Sequence, residues 1–327
     1  MKPARAHPIP FSLLCALAFG AWACASTPGS TAIPTPGGDR LDAIPALAVK
    51  QTPHDDLYPP VVHTSEFADP VPLPGPVNTA GLEDSPFFAP DGRFYFYFTP
   101  SASAPAEQQL TDGVSGIYVS APDGSGWGEP TRVALQDPGK LALDGCADVL
   151  VDTLWFCTAR EGLSGIHWFT AILVDGVWRD WRQADSLLPQ DGQVGELHFA
   201  SDGLTLYFHS DRNAGAGGRD IWRVDRTAGG AWLPSVNVAE VNTDADEGWP
   251  FLTAEGSQLW FTRQVQGAPA VFRSTRSAGG WGQPELIVDR FAGEPTLDPQ
   301  GNLYFVHHFF RDGQMIEADI YVARRQP

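Results

Sequence analysis

The chain has 327 residues, 43% of them hydrophobic, which is enough for one large all-β domain or two ordinary ones. With 21 Lys and Arg against 39 Asp and Glu it carries a formal charge of −18. Such a surface repels phosphate backbones, so nucleic acid is excluded as a partner, while cations and neutral ligands such as glycans remain.

The N-terminus reads as a targeting segment. Lys2 and Arg5 form a weak basic region, and "FSLLCALAFGAWA" is an apolar run too short to span a bilayer. The small residues of "AWACAS" before Cys24 resemble a bacterial lipoprotein processing site. The expectation is a signal peptide over 1–23, lipidation at Cys24 and a Pro/Gly/Ser-rich tether over 24–60, placing the chain at the outer membrane, in the periplasm or at the cell surface. Plain secretion, with cleavage after Ala23 or Ala25, is the rival. Nothing later in the chain is long and apolar enough to cross a membrane.

From residue 61 onward the sequence repeats. "SPFFAPDGRFYFYFT" from Ser85, "ELHFASDGLTLYFHS" from Glu196, "WPFLTAEGSQLWFTR" from Trp249 and "EPTLDPQGNLYFVHH" from Glu294 align on a glycine turn. "CADVLVDTLWFCTA" from Cys146 fits with a shorter turn. Each is an apolar strand, a tight turn and an aromatic-rich strand. Third strands follow at Ile117, Ile166, Ile221, Val271 and Ile320, and fourth strands near Trp127, Trp232 and Trp281, with "VWRDW" in the second unit. The fifth unit lacks a fourth strand. The segment before unit one supplies it: "VNT" followed by Glu occurs both at Thr79–Glu83 and at Thr243–Glu247. The predicted fold is all-β, a single five-bladed β-propeller over 61–327, with four-stranded antiparallel blades closed by an N-terminal strand.

The "PDG" and "SDG" turns, "LYFHSDRNAGAGGRDIW" and "VNTDADEG" resemble the WD40-like propeller repeats of the bacterial TolB protein, envelope lipoproteins and OmpA-linked proteins. The resemblance covers about residues 66 to 325 and implies a propeller fold. It implies little about function, because such repeats describe blades. TolB itself has six blades and a further N-terminal domain, which argues against a Tol-system role here.

Five first-strand position pairs share a face: Glu83 and Ser85, Asp144 and Cys146, Val194 and Glu196, Glu247 and Trp249, Ala292 and Glu294. Each pair holds one carboxylate, so a ring of acids at the channel mouth is expected; solvated strand ends are the simpler alternative. Cross-strand counting sets Glu196 opposite His209, Glu294 opposite His307 and Cys146 opposite Cys157. The last pair is the expected disulfide of an exported protein. His198 is expected to pack on a blade face. Arg160 and Arg212, at equivalent positions, are expected to answer local acids, and "NAGAGGRD" is either a connector or a close-approach loop.

No GxSxG, HExxH or GxxxxGK motif occurs, and no zinc spacing is present. The expected function is therefore non-catalytic: a monomeric binding or scaffold protein of the bacterial envelope. Its ligand, a glycan, peptide or envelope protein, would sit on a rim formed by Glu83, Asp144, Glu196, His209, Glu247, Trp249, Glu294 and His307. The membrane would be met through the lipid anchor alone. No cofactor is expected beyond a cation such as calcium among the acids. The alternative is a glycoside hydrolase drawing on Glu83 or Asp84, Asp144 and Glu196, with Trp249 stacking on sugar rings.

Overall fold

The computed structural model describes residues 39–124, 126–184 and 194–327. Residues 1–23 and Cys24 lie outside them. The chain is all-β, built as several mainly antiparallel sheets with one parallel pairing, Ala318 with Leu82, an arrangement consistent with a propeller.

Unit one runs through Leu82–Phe88, Phe94–Thr99, Gly116–Ser120 and Thr131–Arg132, each antiparallel to the last. Unit two is Ala142–Leu150, Thr153–Arg160, His167–Val174 and Val177–Gln183. Unit three is Val194–Phe199, Thr205–Ser210, Asp220–Asp225 and Val236–Asn237. Unit four is Glu247–Leu252, Gln258–Val265, Ala268–Ser277 and Glu285–Asp289. Unit five has Ala292–Leu297, Leu303–Arg311 and Gln314–Ala323.

Second strands such as "FYFYFT" are buried on both faces. A sheet covered on both sides loses the in–out alternation of a half-exposed one and reads as a continuous apolar run. What covers the faces is the neighbouring unit. One cluster joins Tyr95 and Ile117 of unit one to Phe156 and Ala171 of unit two. Others join units two and three through Trp168 and Phe208, three and four through Tyr207 and Phe261, and four and five through Trp260 and Phe305. A further cluster packs Tyr304 and Ile320 of unit five on Phe96 and Tyr118 of unit one. The first strands also touch in turn, from unit one through unit five and back to unit one.

The N-terminal segment is woven into this. Val71–Pro72 pairs with Gln314–Ala323, at the place where unit five lacks a fourth strand. Pro72 has no N–H to give, which suits an outer strand. Phe67 enters the core between units four and five, and Leu73 and Val77 the core between five and one. Val61–Val62 adds a further outer strand to unit four.

Within the stretch expected as tether, residues 39–60 are docked on units five and one. Arg40 is buried, with Nη1 donating to the Val77 carbonyl at 3.1 Å and lying 3.7 Å from Glu83. Lys50 binds Glu317 and Asp319, and His307 meets Asp56 at 2.8 Å. No helix among the described residues is long and apolar enough to cross a membrane.

Candidate functional site

The repeated "VNT" is a clasp. Asn78 accepts from the Ile320 N–H and donates to the Ile320 carbonyl, so it grips the third strand of unit five. Asn242 grips Ile221 of unit three in the same way. The next residue then caps the first strand of the following unit. Thr79 donates its N–H and hydroxyl to Glu83, and Thr243 does the same for Glu247.

The clasps take up two of the acids assigned to the rim, Glu83 and Glu247, and a separate pairing with Thr158 and Arg160 takes a third, Asp144. Glu83 is fully buried, bonded to Thr79 and close to Arg40. Burial pushes its carboxyl up to about 7, against the Thr79 bonds and the Arg40 charge. Glu247 receives Arg263 Nε at 2.7 Å in addition to Thr243. Asp144 receives the Thr158 hydroxyl at 2.6 Å and Arg160 at 3.2 Å. Burial raises both carboxyls above their ordinary range. Asp84, next to Glu83 on the first strand of unit one, is buried as well. Arg160 answers its local acid, and Arg212 lies over the Phe208 and Trp222 rings at 4.9 and 5.0 Å and donates to Ser235.

Further along each first strand the ladder breaks. Register shifts occur between Asp84 and Phe87, between the partners Trp155 and Cys157 in unit two, and after Val194, Gly248 and Gly293 in the other units. Each is a bulge, with two residues facing one. Ser85, Cys146, Trp249 and Glu294 take positive φ there, at 49°, 56°, 50° and 57°. Few non-glycine residues do so, and four at equivalent positions mark a constraint of the fold.

Next to these bulges Ser85, Glu196 and Glu294, from three different units, meet. Ser85 N–H donates to Glu294 Oε2 at 2.8 Å. The Ser85 hydroxyl lies 3.0 Å from Glu196 Oε1 and 3.3 Å from Glu294 Oε2. Glu294 is buried, and its Oε1 has no partner. Burial, reinforced by the nearby Glu294 carboxylate, pushes Glu196 up to about 8. Burial pushes Glu294 up to about 7, opposed by the Ser85 bonds and the Arg219 charge. A narrow cavity opens here, lined among others by Ser85, Phe87, Glu196, Trp249, Phe251 and Glu294.

The expected Glu–His pairs do not form. The bulge leaves Glu196 without a direct ladder partner, and the ring of His209 turns to unit four, where its Nδ1 accepts the Trp249 N–H at 3.2 Å. Burial, helped by Arg219, drives the His209 pKa well down, so it is neutral. His307 sits opposite Ala292 in the ladder and bonds to Asp56 instead of Glu294. Trp249 is buried and stacked under Arg219 at 4.9 Å, so it offers no exposed face to a sugar. Cys146 and Cys157 are disulfide-bonded, though Gly145 is the ladder partner of Cys157. His198 packs beside Phe251 and bonds to the Leu252 carbonyl.

Sequence reading left Ser85 out of the rim, and it missed Arg219. Its loop is pinned: the Arg219 N–H donates to Asp246, and the Glu247 N–H donates to the Arg219 carbonyl. A Cβ on Gly217 would lie 2.0 Å from the Ala245 carbonyl oxygen, so only glycine permits this approach. The glycine run was the available signal. Among the described residues, no group of three or more His, Cys, Asp or Glu side chains is arranged to hold a metal ion.

No protein-family model matches the chain, and no curated protein does. Solved structures of similar shape include TolB from Acinetobacter baumannii, at 13% identity and a TM-score of 0.42, covering 76% of this chain and 56% of that one. A putative TolB from Agrobacterium tumefaciens matches at 16% identity and 0.40, over 76% of this chain and 92% of the other. A xylan β-1,4-xylosidase from Bacillus halodurans matches at 14% and 0.44, over 76% and 54%. At these scores the likenesses carry no argument about function.

Proposed function

We propose that the chain is an exported, lipid-anchored five-bladed propeller, closed by its N-terminal strand, that serves the bacterial envelope as a monomeric, non-catalytic binding or scaffold protein. Its ligand, a glycan, peptide or envelope protein, sits on the loop-rich rim. A hydrophobic core between each successive pair of units, and first strands that touch in a complete circuit, support the ring. Anchoring rests on Cys24 and the apolar run before it.

The observation that carries the non-catalytic reading is the fate of the carboxylates. A glycoside hydrolase needs an acid and a base facing one open space. Glu83, Asp144 and Glu247 are instead spent on threonine and arginine partners within the fold. Of its expected acids the glycoside reading keeps Glu196 and would need Glu294 as the second; the two share a cavity, but one walled by Pro86, Pro250 and Pro295.

The test is a glycan array and a peptide array probed with the chain, run beside hydrolysis assays on chromogenic glycosides. Specific binding without turnover is the expected result. Turnover that disappears in Glu294→Gln overturns the non-catalytic reading.

A further inference from the structure

The side chains that meet on the axis come from units one, three and five. Hydrogen counting there is restrictive. Glu294 Oε2 already accepts the Ser85 N–H, so that oxygen is an acceptor. The Ser85 hydroxyl owns one hydrogen and lies within hydrogen-bonding distance of two carboxyl oxygens. It can donate to one of them only. The second contact becomes a hydrogen bond when the other carboxyl is an acid that donates to Ser85. The arrangement that makes both contacts hydrogen bonds is Glu196 O–H to Ser85, and Ser85 O–H to Glu294.

The charges facing the pair agree. Unit two presents Asp148, which accepts the Phe199 N–H at 2.7 Å and lies 3.8 Å from His198. Unit three presents His198 and the neutral His209. The glycine loop contributes Arg219, with Asp211 and Asp246 behind it. Unit four contributes Trp249, and unit five Glu294 itself. Two carboxylates at the axis against the Arg219 guanidinium leave an excess negative charge in a poorly hydrated place, and one proton cancels it.

We propose that Glu196, Ser85 and Glu294 form a one-proton lock, which joins units one, three and five across the axis and is released under alkaline conditions, loosening the central well. Both carboxyls have folded-state pKa values raised by burial, to about 8 for Glu196 and about 7 for Glu294. The folded chain therefore holds a proton that the unfolded chain has lost, so stability from this source is complete below the ordinary glutamate range and is lost as pH rises through about 7 to 8.

The test is thermal unfolding of the full chain from about pH 5 to about pH 9, with infrared detection of the carboxylic-acid carbonyl stretch, for wild type and Glu196→Gln. The wild-type midpoint should fall as pH rises, with the acid band present at neutral pH. Glu196→Gln donates to Ser85 at every pH, so it should show a smaller fall than wild type and a weaker acid band, with Glu83 supplying the remainder. Should Glu196→Gln fail to fold, Ser85→Ala provides the comparison, since it removes the bridge and adds no bulk. Equal pH slopes in wild type and in whichever variant folds, or no acid band at neutral pH, overturn the proposal. So does a midpoint that rises with sodium or calcium at fixed pH, because a cation then joins the pair in place of a proton.

Discussion

At the scale of single residues, the axis is held by close approach as much as by charge. His209 is wedged against Gly195 and Gly248: a Cβ on Gly195 would lie 1.9 Å from its Nε2, and one on Gly248 2.9 Å from its Nδ1. The ring is also held by the Trp249 N–H and cannot swing aside freely. Gly195→Ala should therefore destabilise the fold by about 1–3 kcal/mol, the usual cost of overpacking. In urea denaturation its effect should be strongly non-additive with His209→Ala, which removes the obstructing ring. The clasp makes a second prediction. The Thr79 hydroxyl stabilises ionised Glu83, whose pKa is about 7 because of burial. Thr79→Val should cost about 1–3 kcal/mol once that carboxyl is ionised, and less when it is protonated. Denaturation at about pH 8 should thus show a larger loss than at about pH 5, and a loss independent of pH would contradict the assignment.

At the scale of the element, the inner strands are unusual for their bulges, and one bulge is cross-linked. Cys146 occupies the positive-φ position of unit two and bonds to Cys157 across the hairpin, with Cα atoms 5.3 Å apart. Only 11 positions separate the two residues, so the bond restricts a short loop. Removing it through Cys146→Ala with Cys157→Ala should cost at most about 2–3 kcal/mol, leaving a folded chain. Thiol labelling of the unfolded, unreduced chain should find neither cysteine reactive. In this strand the residues were legible before the structure and the register was not. Alternation predicted direct opposition, whereas the bulge shifts Gly145 into that place.

At the scale of the whole molecule, the N-terminal segment packs on units four, five and one. Phe67, Leu73 and Val77 are buried in two different inter-unit cores. At about 1.5–3 kcal/mol for each buried side chain, their loss would consume much of the ~5–15 kcal/mol that holds a typical domain folded. Deleting residues 60–80 should therefore lower the melting of the entire chain in one transition, or abolish folding. Unchanged melting would show that the segment is not part of the ring.

Much of the fold was written in local pattern. Glycine turns, paired aromatic strands and the two "VNT" passages each report a property of neighbouring residues, which sequence records directly. The "VNT" likeness even identified the segment that pairs with Gln314–Ala323. The site was legible only in part. Period-two alternation put Glu196 and Glu294 in one set with Glu83, Asp144 and Glu247, whereas the latter three bond to threonine and arginine partners within the fold. It also paired Glu196 with His209 and Glu294 with His307, because alternation assumes an unbroken ladder. A bulge moves side chains by rotating the backbone, and its effect depends on what lies across the axis. The meeting of Ser85, Glu196 and Glu294 depends on how the sheets are arranged about that axis, a distance between units far apart in the chain. No single strand encodes that distance, so it was decided only when the units packed together.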